Sequence, residues 1–238
     1  MAASRIVPAW LSDYHRATRD PATNALAVLP LLLLYGLGLA QTGAAPRSSV
    51  DWVSAPWRDA LPLHGYLALQ VGLALLLVAW AAWRLRQAIG RRFALAGPVA
   101  AEASLYGAGL GGLILLLLDQ AHALGVSGDL SGLFERAVAS AGAGLHEELV
   151  FRLLLLSLIA VALQRAFELP RPFAVLVAVA LSSLVFAAAH HLAGEPLDLF
   201  AFAYRTTAGL LFAGLFLARG FAVAAWTHAS YDFYLLAL

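Results

Sequence analysis

The chain has 238 residues, of which 62% are hydrophobic and only 12% charged, against about 25% charged in ordinary globular proteins. Too little polar surface remains to cover a water-soluble fold, so an all-α, polytopic transmembrane helical bundle is expected. A net charge of +1 gives no basis for nucleic-acid binding, and the absence of cysteine excludes disulfides, thiolate catalysis and cysteine metal ligation.

Residues 1–24 are polar and lack the charged-then-apolar layout of a signal peptide, so they read as a cytoplasmic segment before an uncleaved anchor. Crossing a hydrocarbon core of ~30 Å takes about 20 apolar helical residues. Seven stretches qualify: 25–41, 65–83, 98–118, 145–163, 172–192, 197–218 and 221–238. Pro30 predicts a kink in the first. Trp52, Trp57, Trp80 and Trp83 lie in or near the ends of spans, where amphipathic rings favour the interface. Residues 131–144, ending Ala141-Gly142-Ala143-Gly144, read either as an interfacial helix before the fourth span or as its N-terminal extension. The glycines there would permit a break before His146. No repeat or soluble domain interrupts 25–238, which reads as a single transmembrane domain.

All basic residues are arginine. With the N-terminus inside, ten arginines fall in inside segments and three (Arg47, Arg58, Arg136) outside. This asymmetry places the N-terminus in the cytoplasm and the C-terminus outside. A prokaryotic cytoplasmic membrane is the expected location.

The costliest feature is the cluster His146-Glu147-Glu148-Leu149-Val150-Phe151-Arg152, at the mouth of the fourth span. A charge at a helix centre in the bilayer costs roughly 2.5–3.5 kcal/mol on insertion scales, so such groups face a protein interior and serve function. Candidate partners are His190 and His191 at the end of span five, Arg205 in span six, and His228 and Asp232 in span seven. The last two share a helical face through their i, i+4 spacing. Span four runs inward from Glu147 and span five runs outward to His190. Span seven starts inside, and His228 and Asp232 lie roughly 10 and 16 Å along it at 1.5 Å per residue; His228 is thus somewhat deep, and a shift of a few residues in the span boundaries brings all of these groups together in the outer half of the membrane. Asp119 and His122, His146 and His191 read as helix-end or interfacial groups, and Glu102 as a carboxylate near the inner boundary that reaches water or an arginine.

Glu147-Glu148-x-x-x-Arg152, Phe186-x-x-x-His190 and His228-x-x-x-Asp232 resemble, in order, the motifs of the CPBP intramembrane proteases. That family includes the CAAX prenyl endopeptidases and bacterial immunity-type relatives. The resemblance runs from about residue 144 to the C-terminus and implies glutamate-dependent hydrolysis of a membrane-anchored or lipid-linked peptide. Glu147 is then the base that activates water, and His190 and His228 hold that water or stabilise the oxyanion. Glu148 and Arg152 form an orienting ion pair. Asp232 stands where the family usually has asparagine; ionised, it would repel an oxyanion but orient His228 as imidazolium. With the outward-facing site, the resemblance implies a branch that trims C-terminal sorting tags of exported proteins, similar to the myxosortases, better than a cytosolic prenyl-tail role.

The residues also suit that chemistry directly. A glutamate against apolar walls gains base strength, and imidazole donors count for more in a water-poor cavity. No Gly-x-Ser-x-Gly elbow is present. No cofactor is expected, although Glu147, His190 and His228 are also a three-ligand set of the kind catalytic zinc uses. The zinc motif His-Glu-x-x-His begins at His146 but meets Val150 at its second histidine position. Arg205 is expected to be a counter-ion for Glu148 or Asp232, or to bind a substrate carboxylate or carbonyl. A proton-coupled transporter, immunity protein or scaffold using the same groups is the competing reading, against which stands the lack of paired broken helices.

Overall fold

In hydrocarbon the backbone can satisfy its hydrogen bonds only along a helix or around a closed barrel, and long apolar runs free of internal proline take the first course. The computed structural model describes residues 8–42, 60–117, 132–192 and 198–237. Its helices, in chain order, are α1 (Ala9–Thr18), α2 (Pro21–Ala27), α3 (Leu29–Thr42), α4 (Leu63–Leu85), α5 (Ile89–Phe93), α6 (Ala96–Leu117), α7 (Leu133–Glu148), α8 (Ser157–Ala166), α9 (Arg171–Leu192), α10 (Leu199–Arg219) and α11 (Phe221–Ala237). No strand occurs among the described residues. The predicted Trp52, Trp57, Arg47, Arg58, Asp119 and His122 lie outside them.

A helix covers each of the seven predicted spans as far as they are described, and among the described residues five helical segments are long and apolar enough to cross a membrane: Pro21–Gln41, Leu63–Phe93, Leu133–Ala166, Arg171–Leu192 and Leu199–Arg219. The helices α6, with 22 residues, and α11, with 17, cover the predicted third and seventh spans as far as the described residues run. Val223, Ala224 and Ala225 are fully buried, so the first turns of α11 are packed among other helices.

The outside of the bundle is apolar: Leu76, Leu158 and Leu176 are each about two-thirds exposed, whereas Glu148 and Arg152 are sealed within. That inversion suits a lipid surround. Trp83, 72% exposed, lies on this outer surface.

The first span begins at Pro21, earlier than expected, because Asp20 caps α2 by accepting from the amides of Ala22 and Thr23 (3.1 Å each) and Pro21 supplies a preset φ. The residue 24/25 division between polar segment and span therefore falls inside α2. Near the position where Pro30 predicted a kink, α2 gives way to α3 at Val28.

The region before Glu147 decides between the two sequence readings. It is the N-terminal extension of the fourth span, with neither a separate interfacial helix nor a break before His146: α7, a π-helical stretch (Leu149–Leu156) and α8 form one continuous helix of 34 residues. At 1.5 Å per residue this is roughly 50 Å, well beyond the ~30 Å core, and it puts Glu147 near mid-helix. The glycines serve close packing instead. A Cβ on Gly144 would lie 2.6 Å from the Ala225 carbonyl oxygen and 2.6 Å from the Ala229 nitrogen, and one on Gly142 would lie 2.6 Å from the Tyr35 ring. On the other side of α11, a Cβ on Gly107 would meet the Tyr231 nitrogen at 2.9 Å. Small residues thus let α7 and α6 approach α11 backbone to backbone, the device by which membrane helices associate without a hydrophobic drive.

The starts of α2, α6 and α11 and the end of α10 gather at one end of the bundle. Arg219 there holds both carboxylate oxygens of Glu102 (2.8 and 2.7 Å). This is the spatial alternation that the span order requires, and it gives Glu102 the arginine expected for it.

Candidate active site

Successive helical residues point about 100° apart, so the two glutamates at the α7/π-helix junction face different neighbours. Both are buried, with Glu147 3% and Glu148 0% exposed. Glu148 Oε1 lies 3.0 Å from Arg152 Nη1 and 2.7 Å from His228 Nδ1. Glu147 Oε2 lies 3.9 Å from His190 Nε2 and 3.7 Å from His228 Nε2. One carboxylate is bound tightly into the wall; the other looks across to two imidazoles at more than hydrogen-bond distance.

Arg152, one turn below Glu148 in the π-helical stretch, is 1% exposed. Its guanidinium lies 4.3 Å from the centre of the Phe186 ring and 5.6 Å from that of Phe212, and Nη2 donates to the Gly209 carbonyl (3.3 Å). Aromatic faces and a backbone carbonyl thus replace water around a buried cation. A π-helical insert often marks a functional site. Here it contains Arg152 and begins directly after Glu148.

His228 is fixed on three sides. The carboxylate at Nδ1 can only accept, so that nitrogen is the donor. Phe212 stacks on the ring at 4.5 Å and 11°, and Phe186 meets it edge-on at 5.9 Å. Nε2 is left facing Glu147 and Asp232, whose Oδ2 is 3.5 Å away. His190 is oriented in a similar way: its Nδ1 donates to the Phe186 carbonyl (3.0 Å), which turns Nε2 toward Glu147. A histidine whose far nitrogen is held by a carboxylate or carbonyl has its tautomer set for work at the near one.

The six residues Glu147, Glu148, Arg152, His190, His228 and Asp232, predicted from three separate spans, therefore form one cluster. It lies between the middle of the long helix, the end of α9 and the middle of α11. Arg205 stands at the Asp232 side, close enough for its charge to act on Asp232, Tyr204 and Tyr231. The immediate counter-ion of Glu148 is Arg152. His191 stacks against Phe202 at the mouth (5.9 Å), and His146 turns to the opposite face, where its Nδ1 donates to the Gly142 carbonyl and its ring meets Tyr35.

The approach to Glu147 is from the side of His190 and Asp232, whose side chains are 18% and 25% exposed. Sequence reasoning missed Phe212, the hydroxyl pair of Tyr204 and Tyr231 beside it, and Gly209. Phenylalanine and glycine inside an apolar span leave no signal of such a role. Glu147, His190 and His228 are the donors that would surround a metal, but among the described residues no group of three His, Asp or Glu is arranged to hold one.

Compared with known families, residues 130–234 match the one described as Type II CAAX prenyl endopeptidase Rce1-like. No curated protein and no solved structure matches the chain.

Proposed function

We propose that the protein is a membrane-embedded peptidase, a reading that the match of residues 130–234 to the Rce1-like type II CAAX prenyl endopeptidase family supports, and that its peptide-bond hydrolysis runs through a water activated by Glu147. The observation that carries this is the spacing of Glu147 Oε2 from the two imidazole Nε2 atoms, 3.7 and 3.9 Å. A polar gap above about 3.5 Å suits one bridging water. Glu147 takes a proton from that water as its oxygen attacks the scissile carbonyl carbon. The C–O bond forms and the carbonyl oxygen becomes the oxyanion. His228, as imidazolium, donates from Nδ1 to Glu148 and from Nε2 toward the oxyanion, and His190 holds the water with Glu147. Glu147 then returns its proton to the amine nitrogen as the C–N bond breaks. Donors fixed in advance in a dry cavity cost no reorganisation as charge develops.

Glu148 and Arg152 are the orienting pair for His228. Asp232 steers the His228 ring from the outer side, and Arg205 offsets its charge and takes a substrate carboxylate or carbonyl at the entrance. No metal is required in this scheme. Hydrolysis that survives thorough chelation is the expected result, and stoichiometric restoration by zinc after loss would refute it.

The substrate is a membrane-anchored or lipid-linked peptide. The arginine asymmetry puts the site toward the non-cytoplasmic side of a prokaryotic inner membrane, which favours removal of a C-terminal sorting tag from an exported protein. The test uses the full chain in bilayer discs with two probes: a fluorescent membrane-anchored peptide bearing a C-terminal transmembrane tag, and a farnesylated CAAX peptide. Cleavage of the first and not the second is expected; the reverse preference overturns the tag reading. Glu147→Gln should lower kcat by about 10²–10⁴, the range of general-base catalysis, with the protein still folded. Undiminished cleavage of both probes would remove Glu147 from the chemistry.

A further inference from the structure

The helix that carries His228 and Asp232 is held at its start by residues remote in sequence from the peptidase domain. We propose that Asn24 and the Glu102–Arg219 pair are positioning residues that set the axial register of α11, and with it the place of His228 between Glu147 and Glu148. This rests on the catalytic reading of His228 given above.

The first amides of a helix lack partners within it, and the residue before the first turn normally supplies a side-chain acceptor. At α11 that residue is Gly220, which has no side chain. Its φ of 95° and the 3.0 Å from a would-be Cβ to the Thr18 carbonyl oxygen exclude any other residue without strain. The missing cap comes from α2: Asn24 Oδ1 accepts from the Ala222 amide at 2.7 Å. The Asn24 amide is itself oriented, its Nδ2 donating to the Asp20 carbonyl (3.0 Å).

Two further ties flank this cap. Arg219 binds Glu102 through two nitrogens and gives Nη1 to Thr18 Oγ1 (3.0 Å), while Tyr14 donates to Glu102 Oε2 (2.6 Å). Burial, with the neighbouring Glu102 carboxylate, pushes the Tyr14 phenol up, so it stays a donor. One turn beyond the cap, Trp226 Nε1 donates to the Ala27 carbonyl (2.8 Å). The lead-in and first turns of α11 are therefore fixed at positions 219, 222 and 226 to α1, α2 and α6.

These ties matter because α11 meets α7 and α6 largely through small residues. Ala225 and Ala229 lie on Gly144, and the Thr227–Tyr231 stretch lies on Gly107; such small-residue contacts bring helices close but lock no large knob into a hole. His228 is roughly 9 Å beyond the cap at 1.5 Å per residue. A slip of two residue rises, about 3 Å, would stretch its 2.7 Å bond to Glu148 to about 4 Å even where the bond lies across the slip, past hydrogen-bond range.

The chain contains no cysteine, so an introduced pair reports register cleanly. Ser104 on α6 and Ser230 on α11 have their Oγ atoms 3.2 Å apart, and the double variant Ser104→Cys/Ser230→Cys is expected to cross-link under mild oxidation in the full chain. Adding Asn24→Ala should abolish the cross-link within the time that saturates the parent, and Asn24→Asp, which keeps an acceptor, should restore it. In the cysteine-free chain, Asn24→Ala should lower kcat on the tagged peptide by about tenfold to hundredfold, as for small misplacements of catalytic groups, with KM unchanged. Arg219→Lys, which keeps the charge but loses the two-point contact, is the second variant and should act in the same direction. Cross-linking as fast in both variants as in the parent overturns the register device, whatever the cleavage rates. Failure of the catalytic reading shows separately, as cleavage that survives His228→Ala.

Discussion

Glu147 and Glu148 are adjacent in sequence and differ in what surrounds them. Glu148 shares one oxygen between Arg152 (3.0 Å) and His228 (2.7 Å) in a fully buried setting. A buried pair of this kind adds little net stability over well-packed apolar side chains, yet removing one partner strands a charge at a cost of about 3–5 kcal/mol. Arg152→Leu alone is therefore expected to lose stability in that range in detergent unfolding, and the double variant Glu148→Leu/Arg152→Leu to lose much less, although it should be inactive. Additive losses would contradict the pairing. Glu147 makes contacts of 3.7 and 3.9 Å to the imidazoles, and Glu147→Gln should alter kcat far more than the unfolding midpoint. The two glutamates thus separate by readout, one in stability and one in turnover.

At the scale of elements, the site depends on how closely α11 approaches α7 and α6. Gly144→Ala and Gly107→Ala each place a methyl within 3.0 Å of α11 backbone atoms, and overpacking of this kind costs typically 1–3 kcal/mol. Gly109→Ala, on the same helix as Gly107 but with open space around it, should be neutral or stabilising by up to about 1 kcal/mol through helix propensity. Thermal unfolding of the three variants checks the contrast, and cleavage should fall only in the first two. The π-helical stretch works at the same scale. An additional residue in the turn rotates the C-terminal half of the long helix relative to its N-terminal half, and the turn so altered holds Arg152 below Glu148.

For the whole molecule, the fold has an apolar exterior and a polar seam, with the Glu147–His228 cluster in mid-bundle and the Glu102–Arg219 cluster at one end. If the arginine asymmetry governs insertion, a reporter fused to the C-terminus is accessible only from the non-cytoplasmic side. Labelling from the cytoplasmic side would reverse the orientation and return the prenyl-tail role to favour.

Sequence alone determined the helical membrane class, the positions of the later helices and the polar residues that would meet. Charged and imidazole groups are so costly in hydrocarbon that each demands a partner, and few candidates exist. Span six was expected at 197–218 and is found at Leu199–Arg219; span seven was expected at 221–238 and is found at Phe221–Ala237. Only the tertiary structure decided the rest. Whether the glycines of 141–144 break a helix or admit a neighbour depends on what stands opposite, and Ala225, Ala229 and Tyr35 stand there. The π-helical turn has no mark in a leucine-rich run. Phe212 stacked on His228 and Asn24 capping α11 join residues far apart in the chain, through contacts that no local pattern encodes. The Glu147–Arg152 cluster therefore announces itself by its cost, whereas the parts that aim it are ordinary residues whose meaning comes from three-dimensional contact.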